Sequence, residues 1–171
     1  MALLTQIRNR YSVRAYLDKP VEREKLDAVL EAARLAPSAR NLQGWRFVVV
    51  QEPETRARLS TAANNQAFVA KAPVVIACCG TNPDYVMRCG QHAYPIDVAI
   101  AMSFMSIQAV EEGLGTCWIG SFYEDQVRAI LGIPEKARVV ELLTLGYPAE
   151  PAKARSRVPI GEIVSAERWG R

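Results

Sequence analysis

The sequence contains a single histidine, His92, and no carboxylate stands beside it in the chain. Serine and cysteine nucleophiles generally need a neighbouring base, and catalytic zinc sites rely largely on histidine ligands. Ser38 does not stand in a G-x-S-x-G sequence. A lone histidine of this kind is more often structural or solvated than catalytic. If the chain is an enzyme, we therefore expect a cofactor to carry the reaction, and we predict no metal site.

Cysteine is also scarce, and no pair has the C-x-x-C spacing. The four residues are Cys78, Cys79, Cys89 and Cys117. This spacing disfavours zinc and iron–sulfur sites, and with Cys78 and Cys79 adjacent in an apolar run we expect the four cysteines to be reduced and buried. The N-terminus lacks the apolar run and cleavage site of a signal peptide. We expect a cytoplasmic protein with no membrane-spanning segment.

The net charge of +3 is too small to indicate a nucleic-acid partner, and none is predicted. The cations are nevertheless unevenly placed. Residues 1–17 contain no acid but carry Arg10, Ser12 and Arg14, and residues 151–161 contain no acid but carry Arg155 and Arg157. Alternate residues of an extended chain point the same way, so each cluster could present two guanidinium groups together. Solvated surface is the alternative, but two such clusters modestly favour an anion site.

The longest uncharged stretch, residues 98–110, lies inside a predicted helix from Pro95 to Gly115. A surface helix normally has one charged face, and this one has none. It is either the central helix of a large core or a helix shared with a second subunit, and we favour the second subunit. Met102 and Met105 are predicted to face the partner.

Hydrophobic periodicity, together with the positions of proline, glycine and capping residues, predicts about four strands and five or six helices in one domain over residues 1–171. The predicted strands are 46–51, 74–79, 116–119 and 139–145, and the further helices are 3–8, 22–35, 53–63, 66–71 and 124–131. This order indicates an α+β or mixed-sheet three-layer domain. The glycine-rich run from Gly113 to Gly120 closes a helix and opens a strand, which is the reverse of a dinucleotide-binding fingerprint.

Four motifs in this order resemble the nitroreductase family of FMN-dependent oxidoreductases, in its short single-domain form. They are R-x-S-x-R-x-Y at Arg10 to Tyr16, A-P-S-A-x-N-x-Q-x-W at Ala36 to Trp45, G-L-G-T-C-W-I-G at Gly113 to Gly120, and L-G-Y-P at Leu145 to Pro148 with R-x-P at Arg157 to Pro159. The resemblance covers nearly the whole chain.

The resemblance implies a three-layer α/β/α sandwich with a mixed, mostly antiparallel sheet and a long central helix at a homodimer interface, where FMN binds. It implies FMN phosphate and ribityl contacts from Arg10, Tyr11, Ser12, Arg14, Arg155 and Arg157. It implies a loop that reaches the flavin, often from the other subunit, with Pro37, Ser38, Ala39 and Asn41. It also implies a contact to the pyrimidine edge from Asn65 or Gln66, with Asn64 an open alternative, and a backbone stretch that faces flavin N5 at Ile119, Gly120 and Ser121. No side chain is predicted to be catalytic; the backbone near Gly120 takes that place.

The activity implied is oxidation of NAD(P)H and reduction of a small acceptor such as a nitroaromatic or a quinone, in two alternating half-reactions. Two alternatives stay open. Some members of the superfamily fragment flavin or remove halogen, and a flavin-binding module without turnover would share much of the sequence. The physiological acceptor and the choice of NADH or NADPH are not predicted.

Overall fold

A computed structural model describes residues 3–170 of the chain. Its helices are α1 (Thr5–Asn9), α2 (Arg23–Arg34), α3 (Pro53–Ala62), α4 (Ala67–Lys71), α5 (Ala93–Glu111), α6 (Glu124–Leu131) and α7 (Ile160–Ile163), with one 3-10 turn at Ala39–Asn41. The strands are β1 (Trp45–Val50), β2 (Val74–Gly80), β3 (Gly115–Ile119) and β4 (Arg138–Gly146). The predicted elements are confirmed, with ends that agree within two residues except at the end of α5, which stops four residues before Gly115, and α7 is an addition.

The four strands form one sheet in the order β1-β2-β4-β3. All three strand pairs are antiparallel, with Phe47 opposite Cys78 and Trp118 opposite Leu143. Glu141 lies opposite Cys78, and the pairing then shifts by one residue, so that Cys79 lies opposite Val139 and not Val140. Among residues 3–170, parallel pairing is limited to one bridge between Ser12 and Thr116. The sheet is therefore antiparallel with a single parallel addition at its β3 edge.

Helices cover both faces of the sheet, which confirms the three-layer prediction. Val74, Ile76 and Cys78 alternate along β2 with Val75, Ala77 and Cys79. The first set packs against α2 and α5, and the second packs against α3, α4 and α6. Successive side chains of a strand point to opposite faces, so adjacent Cys78 and Cys79 belong to different cores.

Helix α5 lies over the sheet and beside α2. It has the length and composition of a membrane span, but the buried residues on its inner side identify it as a core helix. Our assignment of Met102 and Met105 to a partner surface is wrong, because both are fully buried in the protomer's own core. An uncharged helix does not reveal which apolar side faces inward. The exposed side carries Ile96 and Phe104, which are 42% and 40% exposed.

The cysteine prediction needs one correction. Cys78, Cys79 and Cys117 are buried free thiols, as predicted, but Cys89 is exposed. It lies in the turn 85–92, where Val86 and His92 form an antiparallel bridge and Gly90 takes a positive φ of 87°. Residues 88–92 of this turn are all exposed, so the Cys89 side chain meets no core.

The two ends of the chain run beside each other along the β3 edge. The Val13 amide donates to the Thr116 carbonyl at 2.9 Å, and Ser12 forms its parallel bridge there. The Ala149 amide donates to the Ala15 carbonyl at 2.9 Å, just after β4 ends. Beyond Pro148 every described residue from 149 to 170 is exposed. The tail therefore begins against the N-terminal block and then leaves the protomer's core.

Candidate functional site

A cavity of about 480 Å³ lies where the two chain ends meet. We call it the basic pocket. It is lined by Arg10, Tyr11, Ser12, Val13, Arg14, Ala15, Glu150, Pro151, Lys153, Arg155 and Arg157. The structure thus unites the two cationic clusters that lie more than 140 residues apart in the sequence.

Backbone pairing explains why the clusters meet. The antiparallel contacts of residues 15–17 with residues 147–149 fix the tail where it leaves β4. One residue further, the Tyr11 hydroxyl donates to the Glu150 carbonyl at 2.6 Å. The Arg155 guanidinium then donates to the carbonyls of Arg8 and Arg10. These bonds close the pocket without consuming a carboxylate.

Within residues 3–170, no carboxylate forms an ion pair with Arg10, Arg14, Arg155 or Arg157. Burial lowers the pKa of the Arg10 guanidinium, and the positive charges of Arg155 and Arg157 lower it further. Arginine remains charged despite such a shift, so the pocket concentrates unbalanced positive charge. Lys153 is the exception, since its Nζ lies 3.9 Å from Glu150 Oε2. The pocket has the donors and charge of a phosphate site.

Ser12 is exposed, lines the basic pocket and lies beside the Cys117 thiol. Burial raises the pKa of Cys117, while Arg14, a hydrogen bond with Ser12, and Arg10 oppose the shift. The thiol therefore stays neutral near pH 7, and Cys117 acts as a small buried apolar side chain.

A second cavity of about 330 Å³, the α5 groove, adjoins the basic pocket and shares Arg10 and Ser12 with it. Its other lining residues are Ile7, Ser103, Ser106, Ile107 and Trp118. The Trp118 indole N–H donates to Ser106 Oγ at 2.9 Å, which fixes the ring as a wall of the groove. The groove therefore extends the cationic site along the outer side of α5.

A third cavity of about 180 Å³, the Gly120 pocket, follows the end of β3. It is lined by Asn64, Gly120, Ser121, Phe122 and Tyr123. The Gln66 amide donates to the carbonyls of Ala63 at 2.9 Å and Ser121 at 3.2 Å, which holds the 64–66 turn against Ser121. Of the three residues considered for a pyrimidine contact, Asn64 lines this pocket, Gln66 braces it, and Asn65 lies beside it with an exposed side chain.

The loop that contains Pro37, Ser38, Ala39 and Asn41 lies elsewhere in the protomer. The Ala39 amide donates to Asp97 Oδ1 at 2.9 Å near the start of α5, and Ser38 Oγ accepts from the Gln43 amide at 3.0 Å. This loop leads into β1, at the sheet edge opposite the Ser12 block. Four strand spacings of about 4.8 Å separate the two edges by roughly 20 Å. One protomer does not bring this loop to the basic pocket.

The structure also adds residues that our sequence analysis did not assign to the site. Lys153 lines the basic pocket, Ser106 and Trp118 line the α5 groove, and Glu141 Oε1 lies 3.1 Å from the position of a Cβ on Gly120. Lys153 lies in the acid-free tail and could have been inferred from its charge. The others depend on how β3, β4 and α5 pack, which residue spacing does not encode.

Comparison with known proteins identifies the fold. The sequence model of the nitroreductase family matches residues 7–81 and 60–147, and so covers most of the chain. The protein belongs to the nitroreductase family. A relative in Thermus thermophilus, called NADH dehydrogenase, is 33% identical, and the match covers 91% of each chain.

Two solved nitroreductase structures share the fold over nearly their whole length. A nitroreductase family protein of Clostridium difficile 630 is 35% identical, with a TM-score of 0.88 over 98% of this chain and 99% of that chain. An FMN-dependent nitroreductase of Clostridium difficile R20291 is 30% identical, with a TM-score of 0.86 over 98% and 100%. The predicted nitroreductase fold is therefore confirmed.

Proposed function

We propose that this nitroreductase-family protein is an FMN-dependent NAD(P)H oxidoreductase, a single FMN-binding domain over residues 1–171. The observation that carries the proposal is the basic pocket, which is lined by Ser12 and by four arginines that have no carboxylate partner among residues 3–170. Arg10 is part-buried and the other three are exposed, and the repulsion among like charges this close is relieved when an anion neutralises them. A phosphate monoester dianion matches the charge and accepts hydrogen bonds from every donor there.

In this proposal the chain ends hold the FMN phosphate and ribityl chain. Arg10, Ser12 and Arg14 donate from the N-terminal block, and Arg155 and Arg157 donate from the tail. Tyr11 contributes by tying the tail to the pocket through Glu150. The α5 groove and the Gly120 pocket lie on either side of β3 and leave room for the rings. The basic pocket therefore supplies the positive charge that the phosphate needs, and the other two cavities supply space for the rings.

At the ring end, the backbone of Ile119, Gly120 and Ser121 would face N5, and the Asn65–Gln66 turn would hold the pyrimidine edge. When bound, the flavin supplies the redox chemistry by taking a hydride equivalent from NAD(P)H at N5 and passing it to an acceptor. The protein itself binds and orients the flavin and provides backbone hydrogen-bond donors. This division agrees with a sequence that has one histidine, exposed and bonded through Nδ1 to the Pro83 carbonyl at 2.9 Å.

The proposed active form is a homodimer with FMN at the interface. The loop with Pro37, Ser38, Ala39 and Asn41 leads into β1, at the sheet edge opposite the Ser12 block, so a partner has to deliver these residues if they contact flavin. The exposed apolar side of α5 and the exposed tail, with Trp169 at 101% exposure, support assembly. We expect an obligate interface above roughly 2,000 Å².

NAD(P)H and the acceptor are proposed to occupy the same side of the flavin in turn. A chain of 171 residues that carries no dinucleotide fingerprint has little room for a second nucleotide site. Alternate occupation produces ping-pong kinetics, with parallel double-reciprocal plots. The proposed acceptors are nitroaromatics and quinones, and the proposed location is the cytoplasm.

Two measurements test this function. The absorption spectrum of the purified protein is expected to show bound flavin, and heat release followed by chromatography should identify it as FMN. Steady-state NAD(P)H oxidation with menadione or a nitroaromatic should then show turnover and parallel lines. A protein without flavin affinity would refute the proposal. Bound FMN without turnover would indicate a binding module, and turnover with halogenated substrates alone would indicate a dehalogenase.

A further inference from the structure

The Glu141 carboxyl group lies against the α-carbon of Gly120 at the end of β3. Glu141 is on β4 opposite Cys78, and therefore points to the α2/α5 side of the sheet. A Cβ on Gly120 would stand 3.1 Å from Glu141 Oε1 and 3.4 Å from Oε2. Glu141 thus fills the space that a side chain at position 120 would otherwise take.

One oxygen of this carboxyl group has no hydrogen-bond partner. Glu141 Oε2 is buried and unbonded among the described residues, and its neighbours along the same face of β4 include Leu143. Buried polar atoms are nearly always satisfied, because an unmade hydrogen bond leaves the desolvation cost uncompensated. An unsatisfied carboxyl oxygen beside a strand end therefore requires an explanation.

We propose that Glu141 is a positioning residue that holds a proton at Oε2 in response to charge on a ligand bound against Gly120, and so sets the redox potential of that ligand. This rests on the proposed function, in which the ligand is flavin. Two electrons and one proton from NAD(P)H would leave one extra negative charge on the ring system of a flavin bound against Gly120. One solvent proton forming the O–H bond at Oε2 balances it, so that no further reactant is needed.

The surroundings leave Glu141 free to respond. The titratable and charged groups on the elements packed against β4 are, on β2, Cys78 and Cys79; on β3, Cys117; on α5, Tyr94, Asp97 and Glu111; and on α6, Glu124, Asp125 and Arg128. Glu124 is paired with Arg138, and Asp97 accepts from the Ala39 amide. No described cation is bonded to Glu141, and burial raises the pKa of its carboxyl group. A new negative charge nearby would raise this pKa further, which draws in the proton.

The test compares the midpoint potential of bound FMN in wild type and Glu141→Gln, from about pH 5 to about pH 9. Glutamine keeps the shape and removes the charge. Above the pKa of Glu141 the variant should hold at least tenfold more reduced flavin at a given potential, which is about 30 mV for a two-electron couple. The difference should vanish as the pH falls and wild-type Glu141 becomes neutral.

Asp27→Asn is the matched control, because it removes the same charge from the exposed face of α2 and should shift nothing. An equal shift for Glu141→Gln at every pH would show a packing effect, and no shift at all would show no coupling. Either result overturns the proposal.

A measurement on wild type does not depend on the variant's folding. The reduced-minus-oxidised infrared difference spectrum should show a gain of protonated carboxyl, and its absence at all pH values would overturn the proposal. A protein that binds no FMN would refute the proposed function and, with it, the role of Glu141. FMN-loaded, active protein with no pH-dependent difference would refute the role of Glu141 alone.

Discussion

The Tyr11 hydroxyl donates to the Glu150 carbonyl at 2.6 Å and so joins the two ends of the chain across 139 residues. Arg155 and Arg157 follow within seven residues of that bond. The bond therefore fixes the tail at the point where it must turn its arginines toward Arg10. The anion site depends on this junction as much as on the charges themselves.

Tyr11→Phe should weaken FMN binding by about 0.5–1.5 kcal/mol, the usual net contribution of one hydrogen bond. Fluorescence titration of the apoprotein with FMN provides the measurement. Tyr147→Phe is the matched control, since it removes a 2.6 Å bond to Glu22 outside the basic pocket. Equal losses in both variants would mean that the tail is fixed by other contacts.

Phe104→Glu should dissociate the proposed dimer and release FMN together, because it places a charge on the exposed apolar side of α5. Light scattering and the flavin-to-protein ratio measure the two effects. Ala129→Glu adds the same charge at an exposed position of α6 and should change neither. A stable Phe104→Glu monomer that retains FMN would contradict the shared site.

His92→Ala should keep flavin reduction by NAD(P)H within about tenfold of wild type, whereas loss of a positioned acid or base typically costs 10²–10⁴-fold. His92 precedes α5, is exposed, and lines none of the three cavities. Stopped-flow reduction measures the rate directly. A collapse of this rate with FMN still bound would assign His92 a chemical role.

Glu141→Gln should stabilise the apoprotein more at about pH 8 than at about pH 5. Burial raises the pKa of Glu141 in the folded state above its unfolded value. Between the two pKa values the folded state therefore binds more protons, so wild-type stability falls as the pH rises. Thermal unfolding of both proteins at each pH measures the difference. A pH-independent difference would show that the carboxyl group does not ionise in this range.

Much of the fold followed from local patterns. Glu124–Leu131 was predicted with its observed limits, because acidic residues begin it and Gly132, with a φ of 65°, ends it. Gly113, with a φ of 72°, likewise follows α5. The start of α5 was placed two residues late, since Pro95 is tolerated within the first turn and does not have to begin it. The local sequence therefore predicts where a helix or strand ends better than it predicts which of its faces is buried.

The parts of the site that depend on local composition were predictable from the sequence. The parts that depend on how strands pair were not. Two acid-free arginine clusters are visible in the sequence, and the structure brings them together. The contact between Glu141 and Gly120 arises only from the alignment of β3 with β4. The inward direction of Met102 and Met105 likewise depends on how α5 rotates over the sheet. Neither relationship can be inferred from the spacing of residues within one segment of the sequence.

The most direct test of the central claim is the paired titration of apoprotein with FMN and with riboflavin, in wild type and in Arg157→Ala. Removal of one charge-assisted contact should weaken FMN by about 1.5–3 kcal/mol and leave riboflavin, which lacks the phosphate, nearly unchanged. Arg34→Ala removes an equal charge from the surface of α2 and should alter neither affinity. Equal losses of FMN and riboflavin affinity in Arg157→Ala would contradict a phosphate site in the basic pocket.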